Sequence, residues 1–110
     1  MTDLEQVEIQ IEMASKLRKM RDNCVKLTNS KPFKDVIIEG YFKEEAARLV
    51  MAKSSNLNPE QMQMIENMIF GIGALANYIE SVMRRGAEMD QAIGEHEQTR
   101  EEILAEEVAV

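Results

Sequence analysis

The chain has 110 residues, of which 45% are apolar and 30% charged, with nine methionines, five glycines, two prolines and no tryptophan. This length allows one small domain, and the composition favours a helical bundle or coiled coil. A single cysteine, Cys24, excludes an internal disulfide framework and suits a reducing compartment.

The net charge of −7 is concentrated at the C-terminal end of the chain. Residues 1–87 carry twelve acidic and twelve basic side chains, whereas residues 88–110 carry eight acidic side chains and one basic residue, Arg100. The N-terminal segment is acidic and amphipathic, and no apolar run reaches the ~18 residues that suggest a membrane span. We therefore expect a soluble, intracellular protein without a signal peptide or a membrane span.

A first helix is predicted from Asp3 to Leu27, with Thr2 or Asp3 as its N-cap. Three-residue steps from Ile11 to Met20 make its apolar stripe drift around the helix, so we do not expect a straight supercoil over the full length. The stripe consists of Leu4, Val7, Ile11, Ala14, Leu17, Met20, Cys24 and Leu27.

A second helix is predicted to begin after Ser30, its N-cap by residue type, with Pro32 in the first turn. Its apolar residues cover more than half of the circumference, which predicts the most buried segment of the chain. Gly40, in the middle of this helix, predicts a close approach of another helix. The apolar set is Phe33, Val36, Ile37, Tyr41, Phe42, Ala46, Leu49 and Val50.

The third helix has a clear start, with Asn58 as N-cap, Pro59 at the first position and Gln61 in the capping-box position. From there a heptad seam runs without a slip through Met68, Ile72, Leu75, Ile79, Val82, Gly86, Met89, Ile93, His96, Arg100 and Ile103. The basic pair before Gly86 resembles a helix stop. Because the heptad phase continues past it, we predict one helix from Pro59 to about Glu107, with a bend or break at Gly86 as the alternative.

The glycines of this helix need an explanation, because each costs about 1 kcal/mol relative to alanine in a helix interior. Gly86 lies on the heptad seam, and Gly71 and Gly73 flank Ile72. They predict a low-profile patch where another backbone approaches closely. Either the chain's own helices or a second molecule can fill it, and the sequence leaves both open.

No catalytic chemistry is recognisable, so we expect no enzyme activity, no cofactor and no bound metal. The only histidine, His96, lies on the seam between Glu95 and Glu97, which point away from it. We interpret His96 as a polar residue that sets the register of a coiled coil, with a pH-responsive contact or a metal ligand as alternatives. Cys24 lies on the apolar stripe of the first helix, and we expect it to be buried.

Three segments, FKDVIIEGYFKEEAARLV, IGALANYIESVMRRG and EHEQTREEILAEE, resemble small helical proteins encoded by tailed bacteriophages. The similarity covers most of the chain from about Lys16 onward. It implies a phage particle or its assembly as the setting, and the host cytoplasm, the virion or both as the location. It does not choose among a scaffold, a minor virion component, a terminase-associated subunit and an inhibitor of a host protein.

We expect an all-α fold in which two shorter helices pack on a long C-terminal helix as a coiled-coil-like bundle. Residues 1–57 form a helical hairpin over the first half of the long helix, which spans residues 58–110. The second half then projects as an acidic arm with an uncovered seam, so we expect oligomerisation. An antiparallel arrangement would bring acidic tails near the basic residues 16–34, and we favour it or a different partner protein.

The expected interface residues are Met68, Ile72, Leu75, Ile79, Val82, Gly86, Met89, Ile93 and His96. Possible charged contacts are Lys16, Arg18, Lys19, Arg21, Glu95, Glu101 and Glu102. The function predicted first is a non-enzymatic structural or assembly protein of a phage particle, which forms a homo-oligomer or binds another virion protein. The alternatives are an inhibitor that binds a host protein through the acidic arm, and a packaging subunit that binds nucleic acid. The last is disfavoured because the chain is acidic and has no stacking aromatic in its basic segment.

Overall fold

The computed structural model describes residues 2–109, which are 92% helical and contain no strand. Helix α1 spans Asp3–Thr28, and a second helical stretch consists of α2 (Lys31–Phe33), π1 (Lys34–Glu45) and α3 (Ala46–Ala52). Helix α4 spans Pro59–Ala109. The predicted fold class, an all-α protein with two shorter helical stretches and a long C-terminal helix, is confirmed.

The first two helical stretches begin where the capping residues predict. The Thr2 hydroxyl oxygen accepts a hydrogen bond from the Glu5 N–H at 3.1 Å. The Ser30 hydroxyl oxygen accepts one from the Phe33 N–H at 3.4 Å, next to Pro32 in the first turn. Each contact satisfies a backbone donor that the helix itself leaves free.

Helix α4 begins with the predicted capping box and continues without interruption past Gly86. The side-chain amide oxygen Oδ1 of Asn58 accepts a hydrogen bond from the Gln61 N–H at 2.8 Å. The side-chain oxygen Oε1 of Gln61 accepts one from the Asn58 N–H at 3.1 Å. The single long helix is therefore confirmed, and of the alternatives at Gly86 the break is wrong.

The second helical stretch is wound differently from the prediction, because Lys34–Glu45 forms a π-helix. A π-helix closes its hydrogen bonds over five residues instead of four. A Cβ atom added at Gly40 would lie 3.3 Å from the Asp35 carbonyl oxygen, five residues earlier in the same helix. Among the described residues, that Cβ atom would meet no atom of another helix within 4 Å, so the prediction that Gly40 marks the approach of another helix is wrong.

The second stretch is also less buried than its apolar pattern predicts. Leu49 is 1% exposed, whereas Val36 and Val50 are 65% and 57% exposed. No residue of π1 falls in the buried class. The apolar residues of this stretch outnumber the positions that its packing covers, so several of them lie on the surface.

The described chain divides into two compact units. The terminal unit consists of residues 2–25 and 81–109, and the central unit is Lys26–Glu80. In the terminal unit, α1 packs against the second half of α4. Our expectation that this acidic half projects without a partner is therefore wrong, since the first helix covers it.

The buried face of α1 follows a strict heptad instead of the predicted drift. After Ala14 it continues through Arg18, Arg21 and Val25, all of which are partly buried. Leu17 and Met20, which we assigned to the same stripe, are 40% and 52% exposed. The apolar residues of α1 therefore form two faces, and the face toward α4 includes two arginines.

Leu49→Ala is expected to destabilise the central unit by about 2–5 kcal/mol, because it empties a site that is 1% exposed. Val50→Ala, at the neighbouring exposed position, is expected to change stability by less than about 0.5 kcal/mol. Urea unfolding followed by circular dichroism measures both. Equal losses in the two variants would contradict the assignment of Leu49 to the core.

Candidate interaction surfaces

Arg21 crosses α4 at Gly86, and this contact explains the glycine on the heptad seam. A Cβ atom added at Gly86 would lie 2.1 Å from Arg21 Cβ and 2.4 Å from Arg21 Cγ. Any larger residue at position 86 would push α1 away, because Arg21 Cβ is fixed to the helix backbone. From the sequence, either a helix of the same chain or a second molecule could pack on this glycine. In the structure the packing partner is the chain's own α1.

The guanidinium group of Arg21 then reaches a carboxylate one turn further along α4. Arg21 Nη1 donates to Asp90 Oδ2 at 2.8 Å, and Nη2 donates to Asp90 Oδ1 at 3.1 Å. Its Nε donates to Asp22 Oδ1 at 2.8 Å, and the Arg21 side chain is 18% exposed. The bidentate geometry fixes both the distance and the orientation of the two groups. Arg18 lies nearby, with its Nε 4.0 Å from Asp90 Oδ1.

This cluster holds Asp90 as a carboxylate. Hydrogen bonding from Arg21 lowers the pKa of Asp90, partial burial opposes the shift, and the charges of Arg21 and Arg18 lower it further. The same hydrogen bonds, first from Asp90 and then from Asp22, raise the pKa of Arg21. A carboxylate that stays ionised at neutral pH only accepts hydrogen bonds, so the cluster suits a structural clamp better than proton transfer.

Two pairs of residues indicate the antiparallel register of α1 and α4 in the terminal unit. One is Arg21 with Gly86, and the other is Leu4 with Ile103, which line the same open cavity of about 330 Å³. The two pairs lie 17 residues apart on each helix and in opposite chain directions. The pairing is therefore antiparallel and keeps one register from end to end.

At two layers of this register a large side chain faces a small one. It places Ala14 opposite Ile93, and these residues are 4% and 3% exposed. Gly86 makes room for Arg21 in the same way that Ala14 makes room for Ile93. The seam is thus a packed core within the chain at these layers.

His96 occupies the layer of Ile11 in this register and is half-buried. Among residues 2–109, no group of three or more histidine, cysteine, aspartate or glutamate side chains is arranged to hold a metal ion. Cys24 is a free, half-buried thiol.

An open groove of about 550 Å³ lies in the central unit, and π1 provides most of its wall. The groove is lined by Val36, Ile37, Gly40, Tyr41, Glu45 and Leu75. Arg48 donates to Glu45 through Nε at 3.0 Å, and this hydrogen bond lowers the pKa of Glu45. A Cβ atom at Gly71 would lie 3.8 Å from the Tyr41 hydroxyl oxygen, whereas one at Gly73 would meet nothing within 4 Å.

The predicted interface residues lie mostly inside the chain. Ile72, Val82, Gly86 and Ile93 are buried, and Leu75, Ile79, Met89 and His96 are partly buried. Met68 is exposed. A second molecule therefore has little access to the seam, and the accessible apolar surface lies elsewhere.

Of the residues predicted to make charged contacts, two meet Asp90 and the others lie on the surface. Arg18 and Arg21 meet Asp90, while Lys16 lies 4.0 Å from Glu12 on the surface and Lys19 is exposed. The remaining three, Glu95, Glu101 and Glu102, are exposed on α4. The contact between the basic segment and the acidic half of α4 thus forms within the chain and depends on Asp90, which the sequence did not single out.

Sequence reasoning also missed the exposed apolar residues of α1 and of the central unit. The most exposed are Phe70 at 78%, Met51 at 70%, Val36 and Met64 at 65%, and Met13 at 62%. The three-residue steps in the apolar stripe of α1 could have indicated them. Such steps spread the apolar residues around the helix, so that they form two faces instead of one.

Comparison of the chain with models of known protein families, with curated proteins and with solved structures finds no match. Among residues 2–109, no helix combines the length and the apolar character of a membrane-spanning segment. The functional argument therefore depends on the surfaces described above.

Gly86→Ala is expected to destabilise the protein by about 1–3 kcal/mol, because the added methyl group overlaps Arg21. Gly94→Ala is the matched control in the same unit, since its Cβ would meet nothing within 4 Å. There the gain in helix propensity predicts stabilisation by up to about 1 kcal/mol. Opposite signs in urea unfolding are expected, and a gain at both positions would contradict the Arg21 contact.

Asp90→Asn is expected to flatten the acid limb of the stability curve. The pKa of Asp90 is lowered in the folded state, so the unfolded chain takes up a proton first as the pH falls. The stabilisation is complete above about pH 4 to 5 and is lost as the pH falls through the lowered folded pKa. Thermal midpoints between pH 6 and 3 should therefore fall less in Asp90→Asn than in wild type, while the exposed control Glu97→Gln follows wild type.

Proposed function

We propose that this protein is a non-enzymatic structural or assembly protein that acts through helix–helix contacts and forms oligomers. The observation that supports this most directly is the apolar surface left on the helices. Among the described residues, large apolar side chains such as Phe70, Met51, Val36, Met64 and Met13 are more than 60% exposed. Where such side chains lie together in one patch, they are a common mark of a surface that binds another protein.

The Arg21 clamp adds to this argument. It joins residues 69 apart in the sequence and holds α1 against α4 in one register. A helix held in this way presents its outer face with little conformational freedom, which lowers the entropic cost of binding. Exposed methionines suit such a face, because their flexible side chains adapt to the partner.

The setting we propose is the assembly of a phage particle, with a second copy or another virion protein as partner. Its support is the resemblance of three segments to small helical phage proteins. Co-sedimentation of the protein with purified particles or their precursors tests the setting directly.

A second candidate function is inhibition of a host protein by the acidic half of α4. The exposure of Glu95, Glu101 and Glu102 supports it, because these carboxylates remain accessible although Asp90 is engaged. Reversal of the three charges should then abolish toxicity in the host without changing the helical content. Toxicity that survives the reversal would contradict it.

Wild-type protein is expected to show a molar mass above 12.6 kDa in light scattering, rising with concentration toward a defined multiple. The association should persist at about 0.5 M salt, because apolar contacts are not screened as charges are. Binding through the acidic arm alone would weaken over the same range. A constant mass of 12.6 kDa at all concentrations, without co-sedimentation with particles, would contradict the assembly proposal.

A further inference from the structure

Helix α1 carries a second apolar face that no part of the terminal unit covers. Its members are Ile9, Met13, Leu17 and Met20, which are 42%, 62%, 40% and 52% exposed. Steps of four, four and three residues place them on one side of an α-helix. This outer face is separate from the one that holds Arg21 and packs on α4.

Charged residues border the outer face along one side, and their sign changes halfway. In the N-terminal half they are Glu5, Glu8 and Glu12, and in the C-terminal half they are Lys16, Lys19 and Lys26. At about 100° per residue, all six fall on the same side of the apolar face. All six are exposed.

The opposite border of the outer face has no such pattern. Gln10 and, at the N-terminal end, Asp3 lie there and are exposed, and Arg21 is engaged with Asp90. The charge pattern is therefore one-sided, which distinguishes the possible ways in which two copies of the helix can pair.

We propose that the outer face of α1 binds the same face of a second copy of this chain in an antiparallel, two-fold arrangement. This deepens the proposed function and rests on it. A two-fold axis between antiparallel helices places the same border of each helix together and reverses its direction. The glutamate half of one border then meets the lysine half of the other.

A parallel pair would lack this match. A two-fold axis along parallel helices sets the charged border of one copy against the opposite border of the other, which carries Gln10 and has no row of charges that changes sign. The charged residues would then gain nothing from pairing. The one-sided, sign-changing border therefore specifies a self-complementary antiparallel partner.

The apolar residues define the register of this pair. With the two-fold axis between residues 16 and 17, Met13 lies opposite Met20 of the second copy, and Ile9 opposite Cys24. In the same register Glu12 lies near Lys19 and Glu8 near Lys26. Since α4 packs on the other face of each α1, the product is a four-helix arrangement.

The charge pattern gives the first test, with two double variants. The basic variant carries Glu8→Lys and Glu12→Lys, and the acidic variant carries Lys19→Glu and Lys26→Glu. Each alone should raise the dimer dissociation constant about tenfold, because paired charges become like charges. An equimolar mixture should form a heterodimer, and the combination of all four changes in one chain should restore the homodimer. Sedimentation velocity measures the masses, and circular dichroism checks the helical content.

A cross-link tests the direction of the pair independently. Ile9→Cys should form a disulfide with Cys24 of the second copy on mild oxidation, seen as a dimer on a non-reducing gel. Wild type should not cross-link within the dimer, since the two Cys24 residues lie about 22 Å apart along the axis at ~1.5 Å per residue. Rapid cross-linking of wild type through Cys24 alone would overturn the antiparallel arrangement.

The apolar face is tested by Met13→Gln with Met20→Gln, which should raise the dissociation constant about 100-fold. The matched control is Met51→Gln with Met64→Gln, two exposed methionines of the central unit. The α1 pairing is overturned if the oligomer is lost only in the control variant, or if both variants keep it. Either result leaves the assembly proposal standing. A wild-type monomer at every concentration overturns the pairing together with homo-oligomerisation.

Discussion

The terminal unit depends on one interaction, in which Arg21 lies across Gly86 and closes on Asp90. An arginine at a core position of a helix pair is unfavourable unless its aliphatic stem is packed and its guanidinium is paired. Gly86 provides space for the stem, and Asp90 receives two hydrogen bonds at 2.8 and 3.1 Å. Because the glycine and the carboxylate lie one turn apart, both requirements are met only in one register.

This interaction also determines which side of α1 is covered by α4 and which side is exposed. It turns the arginines of α1 toward the acidic half of α4. Basic and acidic segments that we expected to meet between two molecules therefore meet inside one chain. The outer face of α1 is left exposed instead, and the central unit separately exposes the groove beside π1. Both are apolar, and the border of the outer face on α1 carries charges of both signs. In the function we propose, these exposed surfaces and not the buried part of the heptad seam of α4 meet the partner.

Local signals in the sequence were sufficient for the helices, and contacts distant in sequence were not. The capping box of Asn58 and Gln61 and the unbroken heptads predicted α4, because both depend on residues a few positions apart. Arg18 and Arg21 were left out of the α1 stripe, because a charged residue becomes a core residue only through partners such as Asp90, 69 positions away. The π-helix was also missed, since an apolar pattern does not distinguish hydrogen bonds over four residues from bonds over five.

The close contact at Gly86 also restricts how this protein can evolve. A larger residue at position 86 becomes acceptable only after position 21 has become glycine or α1 has moved away from α4, and either change disrupts the bidentate pair with Asp90. None of the three positions can therefore change freely by itself. Homologous chains that keep this helix pair should vary at positions 21, 86 and 90 together, so that substitutions at these sites are inherited as a set.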